Sequence, residues 1–170
     1  MINNFKNLIL SALFAALISV GTFIKIPTPL LPITLQTLFI ILAGLILGSK
    51  FGAISVSIYV LLGLSGVPVF TQGGGVNYIL NPTFGYILSF IPGAYLAGYI
   101  REKFGAKFLT CTFAGILAII LIYAVGIPYY YLVARFYLNN VIAAKTILTV
   151  FILMPLPGDI ISCVIAGLLE

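Results

Sequence analysis

Apolar residues in this chain come in long unbroken runs. They show neither the alternation of a half-buried strand nor the one-sided stripe of a surface helix. The runs cover residues 8–24, 33–48, 53–64, 84–100, 108–127 and 146–169. A membrane-crossing helix needs roughly 20 apolar residues, so five or six such segments take up most of the 170 available. The pattern predicts an all-α polytopic membrane protein with six transmembrane helices, forming one integral domain over residues 1–170.

The breaks between runs carry the polar chemistry. Pro27, Pro29 and Pro32 end the first helix, because proline lacks an N–H donor and collides with the preceding turn. Ser49, Lys50, Phe51 and Gly52 make a short basic turn. Residues 66–85 are rich in Gly, Asn, Pro and Thr, which is turn chemistry. The fifth run leads into Pro128 and three tyrosines, Tyr129 to Tyr131. The last run is interrupted by Pro155, Pro157, Gly158 and Asp159. One kinked span fits that interruption, and so does a half-helix followed by a span.

Composition makes the membrane reading firm. Hydrophobic residues make up 62% and charged residues 6%, whereas soluble domains carry about 25% charged residues. Such a chain in water would expose contiguous apolar surface and aggregate. The net charge of +5 then reads as topology rather than as nucleic-acid binding. With the N-terminus inside, Lys6, Lys50, Arg101, Lys103 and Lys107 face the cytoplasm, against Lys25, Arg135 and Lys145 outside. The expected arrangement is N-in and C-in, with an outward-facing pocket capped by loops. The N-terminal run lacks a basic leader and cleavage site, so it reads as a retained first span.

Several activities find no residues to carry them. No GxxxxGK[ST] loop is present, so the chain is not expected to hydrolyse ATP itself. There is no histidine and the three carboxylates do not cluster, so neither a metal site nor an enzyme is expected. Cys111 and Cys163 lie in apolar runs and read as packing residues.

The candidate ligand contacts are few. Asp159 is the lone acid between Glu102 and Glu170. An ionisable group at membrane depth is costly unless paired or functional, although a helix N-cap would also explain it. Gln72, Asn77, Asn81 and Thr83 surround the Gly73–Gly74–Gly75 loop. Glycine lets backbone approach a ligand closely, but a flexible hairpin fits as well. Gln36 sits at the head of the second run, where it forms either an interhelical hydrogen bond or a pocket wall. Ala12 and Ala16 make a small-xxx-small face on the first run, which lets another helix approach closely.

Several blocks resemble the biotin transporter family BioY. They are Pro32-Ile33-Thr34-Leu35-Gln36-Thr37-Leu38, residues 42–48, residues 59–70, Asn81-Pro82-Thr83-Phe84-Gly85-Tyr86 and Pro157-Gly158-Asp159. The resemblance implies the biotin-capturing S component of an energy-coupling-factor (ECF) importer in a prokaryotic cell membrane. Its implied partners are biotin, a transmembrane coupling protein, two ABC ATPases and the lipid bilayer, with no cofactor. It also implies that the aspartate matching Asp159 lies at the biotin site, and that Ala12 and Ala16 dock the coupling protein. The full expected substrate set is Gln36, Gln72, Gly74, Asn77, Tyr78, Thr83, Tyr86 and Asp159, with Phe70, Tyr78 and Tyr86 as apolar walls. Family members often place a lysine three residues after the aspartate, or an arginine after the Gly-Tyr pair. Here those positions are Ser162 and Ile87. Candidates for the substrate's carboxylate are glycine-loop amides, a half-helix N-terminus, Arg135 and Lys25. The alternative is a self-sufficient secondary transporter, which usually carries several intramembrane carboxylates and repeated broken helices.

Overall fold

The computed structural model describes residues 2–27 and 30–170, so the break expected at Pro29 lies outside the described residues. Helix α1 (Ile2–Phe23) leads into a two-stranded ribbon, β1 (Lys25–Ile26) and β2 (Ile33–Thr34), paired Lys25 to Thr34 and Ile26 to Ile33. Helix α2 (Gln36–Leu64) is followed by a 3-10 turn (Val76–Leu80), then α3 (Phe84–Phe104) and α4 (Phe108–Phe136). A short α5 (Ala144–Thr146) runs through a π-helical stretch (Ile147–Leu153) into α6 (Leu156–Leu169).

The long α2 is two rods. Gly48 has φ 82° and ψ 176°, outside helical backbone, and only glycine adopts that left-handed region without strain. The chain doubles back there. Gln36 Nε2 donates to the Tyr59 hydroxyl at 2.7 Å, although a straight helix would hold residues that far apart in sequence about 34 Å apart. The arms 36–47 and 49–64 therefore pack against each other, so the second and third apolar runs are both accounted for. The turn that sequence spread over residues 49–52 is concentrated at Gly48. Ser49 begins the return arm, and Glu102 caps it. One Glu102 oxygen accepts the Ser49 N–H at 2.8 Å and the other accepts the Ser49 hydroxyl at 2.8 Å.

Four helical segments are long and apolar enough to cross a bilayer: Phe5–Phe23, Gln36–Leu64, Phe108–Phe136 and Ile147–Leu169. Helix α3 has 21 residues, or about 31 Å, and packs between α2 and α4. Helix α4 extends past Pro128 to Phe136 instead of ending at residue 127. Proline removes only one backbone donor, which a packed membrane helix tolerates. The tyrosines after Pro128 are thus helical. Tyr130 is buried against Phe151, with ring centroids 4.4 Å apart. The interruption in the last run is one kinked segment. Thr146, Met154 and Pro155 all keep right-handed helical backbone, and the widened π turn upstream absorbs the clash that Pro155 creates.

The bundle has two distinct ends. At the loop end, Lys25 Nζ donates to the Thr71 carbonyl at 2.9 Å and the Tyr129 hydroxyl donates to the Ile79 carbonyl at 2.6 Å. At the turn end, Glu102 meets Ser49 and Arg101 forms an ion pair with Glu170.

Candidate functional site

A pocket runs from the loop end into the middle of the bundle. Leu31, Pro32, Ile33 and Thr34 line one side, and Gln36 and Thr37 open α2 beside them. Thr71 and Thr83 stand at the connecting loop. Tyr86, Ile87 and Phe90 face in from α3, Ile119, Ile122 and Tyr123 from α4, and Pro155 and Asp159 from the final helix. The space, mouth included, is about 630 Å³.

The lining is apolar with a few aimed polar groups. Asp159 lies in the first turn of α6, yet it makes no cap and is only 7% exposed. Its carboxylate accepts the Tyr123 hydroxyl from mid-α4 and also meets Thr37. A buried carboxylate bonded across helices, rather than to its own helix end, rules out the N-cap explanation. Gln36 is held by Tyr59, whose hydroxyl also donates to the Val69 carbonyl at 3.3 Å, and by the Thr34 hydroxyl at 3.2 Å. Tyr86 differs from these. Its residue is 6% exposed and its hydroxyl has no hydrogen-bond partner among the described residues. A buried hydroxyl without a partner costs roughly 1–3 kcal/mol.

The structure divides the expected site residues. Gln36, Thr83, Tyr86 and Asp159 line this pocket. Gln72, Asn77 and Thr83 line a wider groove above it, with Leu30, Asn81, Tyr130, Tyr137 and Leu138. There Asn81 Nδ2 donates to Gln72 Oε1 at 2.8 Å, and Asn81 Oδ1 accepts both the Thr83 N–H and hydroxyl. Tyr78 lines neither space. Its ring packs on Phe70 at 4.7 Å, and its hydroxyl meets Thr71 at 3.1 Å and Thr83 at 3.2 Å. Phe70 is likewise core, so it and Tyr78 brace the loop instead of walling the pocket. Gly74 also lines neither space. A Cβ there would fall 2.3 Å from the Val67 carbonyl oxygen, so its glycine serves loop packing.

Sequence reasoning missed Tyr123 and Thr37. A tyrosine in the centre of a long apolar helix must satisfy its hydroxyl inside the protein, and that was the available signal. Ala12 and Ala16 are both exposed on α1.

The sequence matches the BioY family over residues 1–170. It is 46% identical over 137 residues to the "Probable biotin transporter BioY" of Lysinibacillus sphaericus, covering 78% of this chain and 68% of the relative. It is 39% identical over 137 residues to the "Biotin transporter BioY" of Thermotoga maritima, covering 80% and 78%. Its fold is similar to that of the crystallised "S-component for biotin from an ECF-type ABC transporter", with TM-score 0.84 and 30% identity over 98% of this chain and 89% of that one. The chain belongs to the BioY family.

Proposed function

We propose that this BioY-family chain captures biotin from outside the cell and carries it across the membrane as the S component of an ECF-type ABC importer. The observation that carries the reading is the pairing, in one buried pocket, of an ionisable carboxylate with an unpartnered hydroxyl, at Asp159 and Tyr86. Biotin's ureido ring offers two N–H donors and one carbonyl. Asp159 accepts from the N–H side, where a charge-assisted bond is strongest. Tyr86 donates to the carbonyl and gains the partner it lacks. Tyr123 and Thr37 hold the carboxylate in place. The sulfur-containing ring and alkyl chain lie against Phe90, Ile87 and Ile122.

The two arms of α2, together with α1, α3, α4 and the kinked final segment, give six crossings. The N-in arrangement puts the loop end outside, where the substrate arrives, and the turn end at the cytoplasm. Lys50, Arg101, Lys103 and Lys107 then lie on the cytoplasmic side, as topology rules favour. Ala12 and Ala16 present a small-residue face to lipid, suited to the close approach of a coupling-protein helix. Two ABC ATPases supply the energy.

Labelled biotin should bind the purified chain in detergent, yield to desthiobiotin and ignore unrelated vitamins. Uptake should require the coupling protein and ATP. Absence of saturable biotin binding would overturn the reading, and uptake by the chain alone, abolished by a protonophore, would replace it with secondary transport.

A further inference from the structure

The pocket contains one carboxylate and, among the described residues, no cation. This inference rests on the biotin reading, which brings a second carboxylate to the same site. Like charges in a poorly solvated pocket repel strongly, so the acid end of the substrate needs a countercharge at the mouth.

The structure removes most of the possible sources. Two of the three glycine-loop amides are committed, Gly73 N–H to the Phe70 carbonyl at 3.2 Å and Gly75 N–H to the Gly63 carbonyl at 2.7 Å, and Gly74 lines neither the pocket nor the groove. The head of α6 is poor in donors, because its cap is Pro155 and its second residue is Pro157, and proline has no N–H. Asp159 in the same turn opposes an anion there. Arg135 donates to its own helix neighbour Tyr131 at 2.7 Å and lies over the Tyr131 and Phe136 rings. Neither Arg135 nor Lys25 itself lines the pocket or the groove above it, and the residues Arg135 touches, Tyr131 and Phe136, likewise line neither space.

Lys25 is placed differently. Two independent links tie it to the pocket wall. In the ribbon it pairs directly with Thr34, and directly opposed residues share a face. Its ammonium donates to the carbonyl of Thr71 at 2.9 Å. Thr34 and Thr71 both line the pocket. An ammonium has three donors, and the Thr71 carbonyl uses one. We propose that Lys25 is the residue that binds the substrate's carboxylate, holding it at the rim while the ureido ring lies deep against Asp159. Lysine on a flexible stem reaches the anion without leaving the loop it braces.

The test compares biotin with biotinol, in which an alcohol replaces the acid. Both are measured on the purified chain and on its Lys25→Ala, Lys25→Arg and Arg135→Ala variants. The wild-type chain should favour biotin about tenfold, the scale of one charge-assisted hydrogen bond. Lys25→Ala should weaken biotin about tenfold and leave biotinol unchanged, which also shows that the variant is folded. Lys25→Arg should restore most of the preference, and Arg135→Ala should alter neither ligand. Lys25→Ala that leaves biotin unchanged, or weakens both ligands equally, overturns the assignment and leaves biotin capture standing. A wild-type chain that binds neither ligand overturns the function proposed above and this assignment with it.

Discussion

At the loop end, the buried core is rich in rings. Tyr59 packs edge-on to Phe70 at 5.5 Å, Phe70 continues to Tyr78, and Phe84, Tyr86, Phe90, Tyr130 and Phe151 join them among aliphatic side chains such as Ile18, Ile40 and Val56. At the turn end, the core is mostly alanine, cysteine, leucine and isoleucine, and Phe14 is its only aromatic member among the described residues. Backbones there nearly touch: a Cβ on Gly98 would lie 2.4 Å from the Ser49 nitrogen. In lipid no hydrophobic force pulls helices together, so close packing of small residues and interhelical hydrogen bonds must hold them. The turn end uses both. The loop end packs larger rings, of which Tyr86 and Phe90 also line the pocket. One end fixes the bundle and the other leaves room for a ligand.

The largest test of that division is at the turn end. Gly98→Leu would drive a side chain into the Ser49 backbone, which cannot retreat without opening the hairpin at Gly48. Overpacking of this kind costs about 1–3 kcal/mol, occasionally more. The expected result is a large fall in folded yield and in the detergent unfolding temperature. The remaining folded protein should bind biotin with unchanged affinity, and a variant of normal stability with weakened binding would contradict the division.

Asp159→Asn tests the other end. It keeps the shape and removes the charge proposed to accept the ureido N–H groups. A charge-assisted hydrogen bond contributes about 1.5–3 kcal/mol, so biotin affinity should fall roughly ten- to a hundredfold. Unfolding of the free protein should shift little. A variant with wild-type affinity would remove Asp159 from the site.

Glu102→Gln is smaller and again belongs to the turn end. The amide still accepts from Ser49, but it loses the negative charge facing the start of the return arm. Charge at a helix N-terminus is worth about 0.3–1 kcal/mol. A modest fall in unfolding temperature with no change in biotin affinity is expected, read by thermal unfolding with and without ligand.

Sequence conveyed the turn end better than the loop end, and the reason is physical. Long apolar runs announce helices wherever they occur, and the short basic turn at residues 49–52 marked a reversal that the structure puts at Gly48. Gln36, Thr83 and Asp159 stood out as polar groups beside or within apolar runs and Tyr86 as an aromatic wall, and all four line the pocket. Gln72 and Asn77 stood out equally, yet they face the groove, because polarity along a loop does not tell which wall a side chain joins. Tyr78 and Phe70 went to bracing the loop, since aromatic rings serve core and pocket alike. Tyr123 was hidden inside a run whose periodicity is apolar on every side, so only tertiary packing shows it meeting Asp159 from another helix.

The last test concerns Tyr86, where ring and hydroxyl can be separated within one residue. Its ring belongs to the loop-end core, meeting Tyr123 at 6.5 Å, while its hydroxyl is buried with no partner. Tyr86→Phe keeps the ring and deletes the hydroxyl. In the free protein this removes an unsatisfied buried group, so stability should hold or rise slightly. In the complex it removes one neutral hydrogen bond, worth about 0.5–1.5 kcal/mol, so biotin should bind a few-fold more weakly. The two shifts therefore run in opposite directions. Thermal unfolding of the free variant, set beside its binding curve, reads both. A hydroxyl kept only for structure would make the variant less stable and leave binding alone, whereas a hydroxyl kept for ligand does the reverse, because the energy it gives up in the empty pocket is recovered only when the ureido carbonyl arrives.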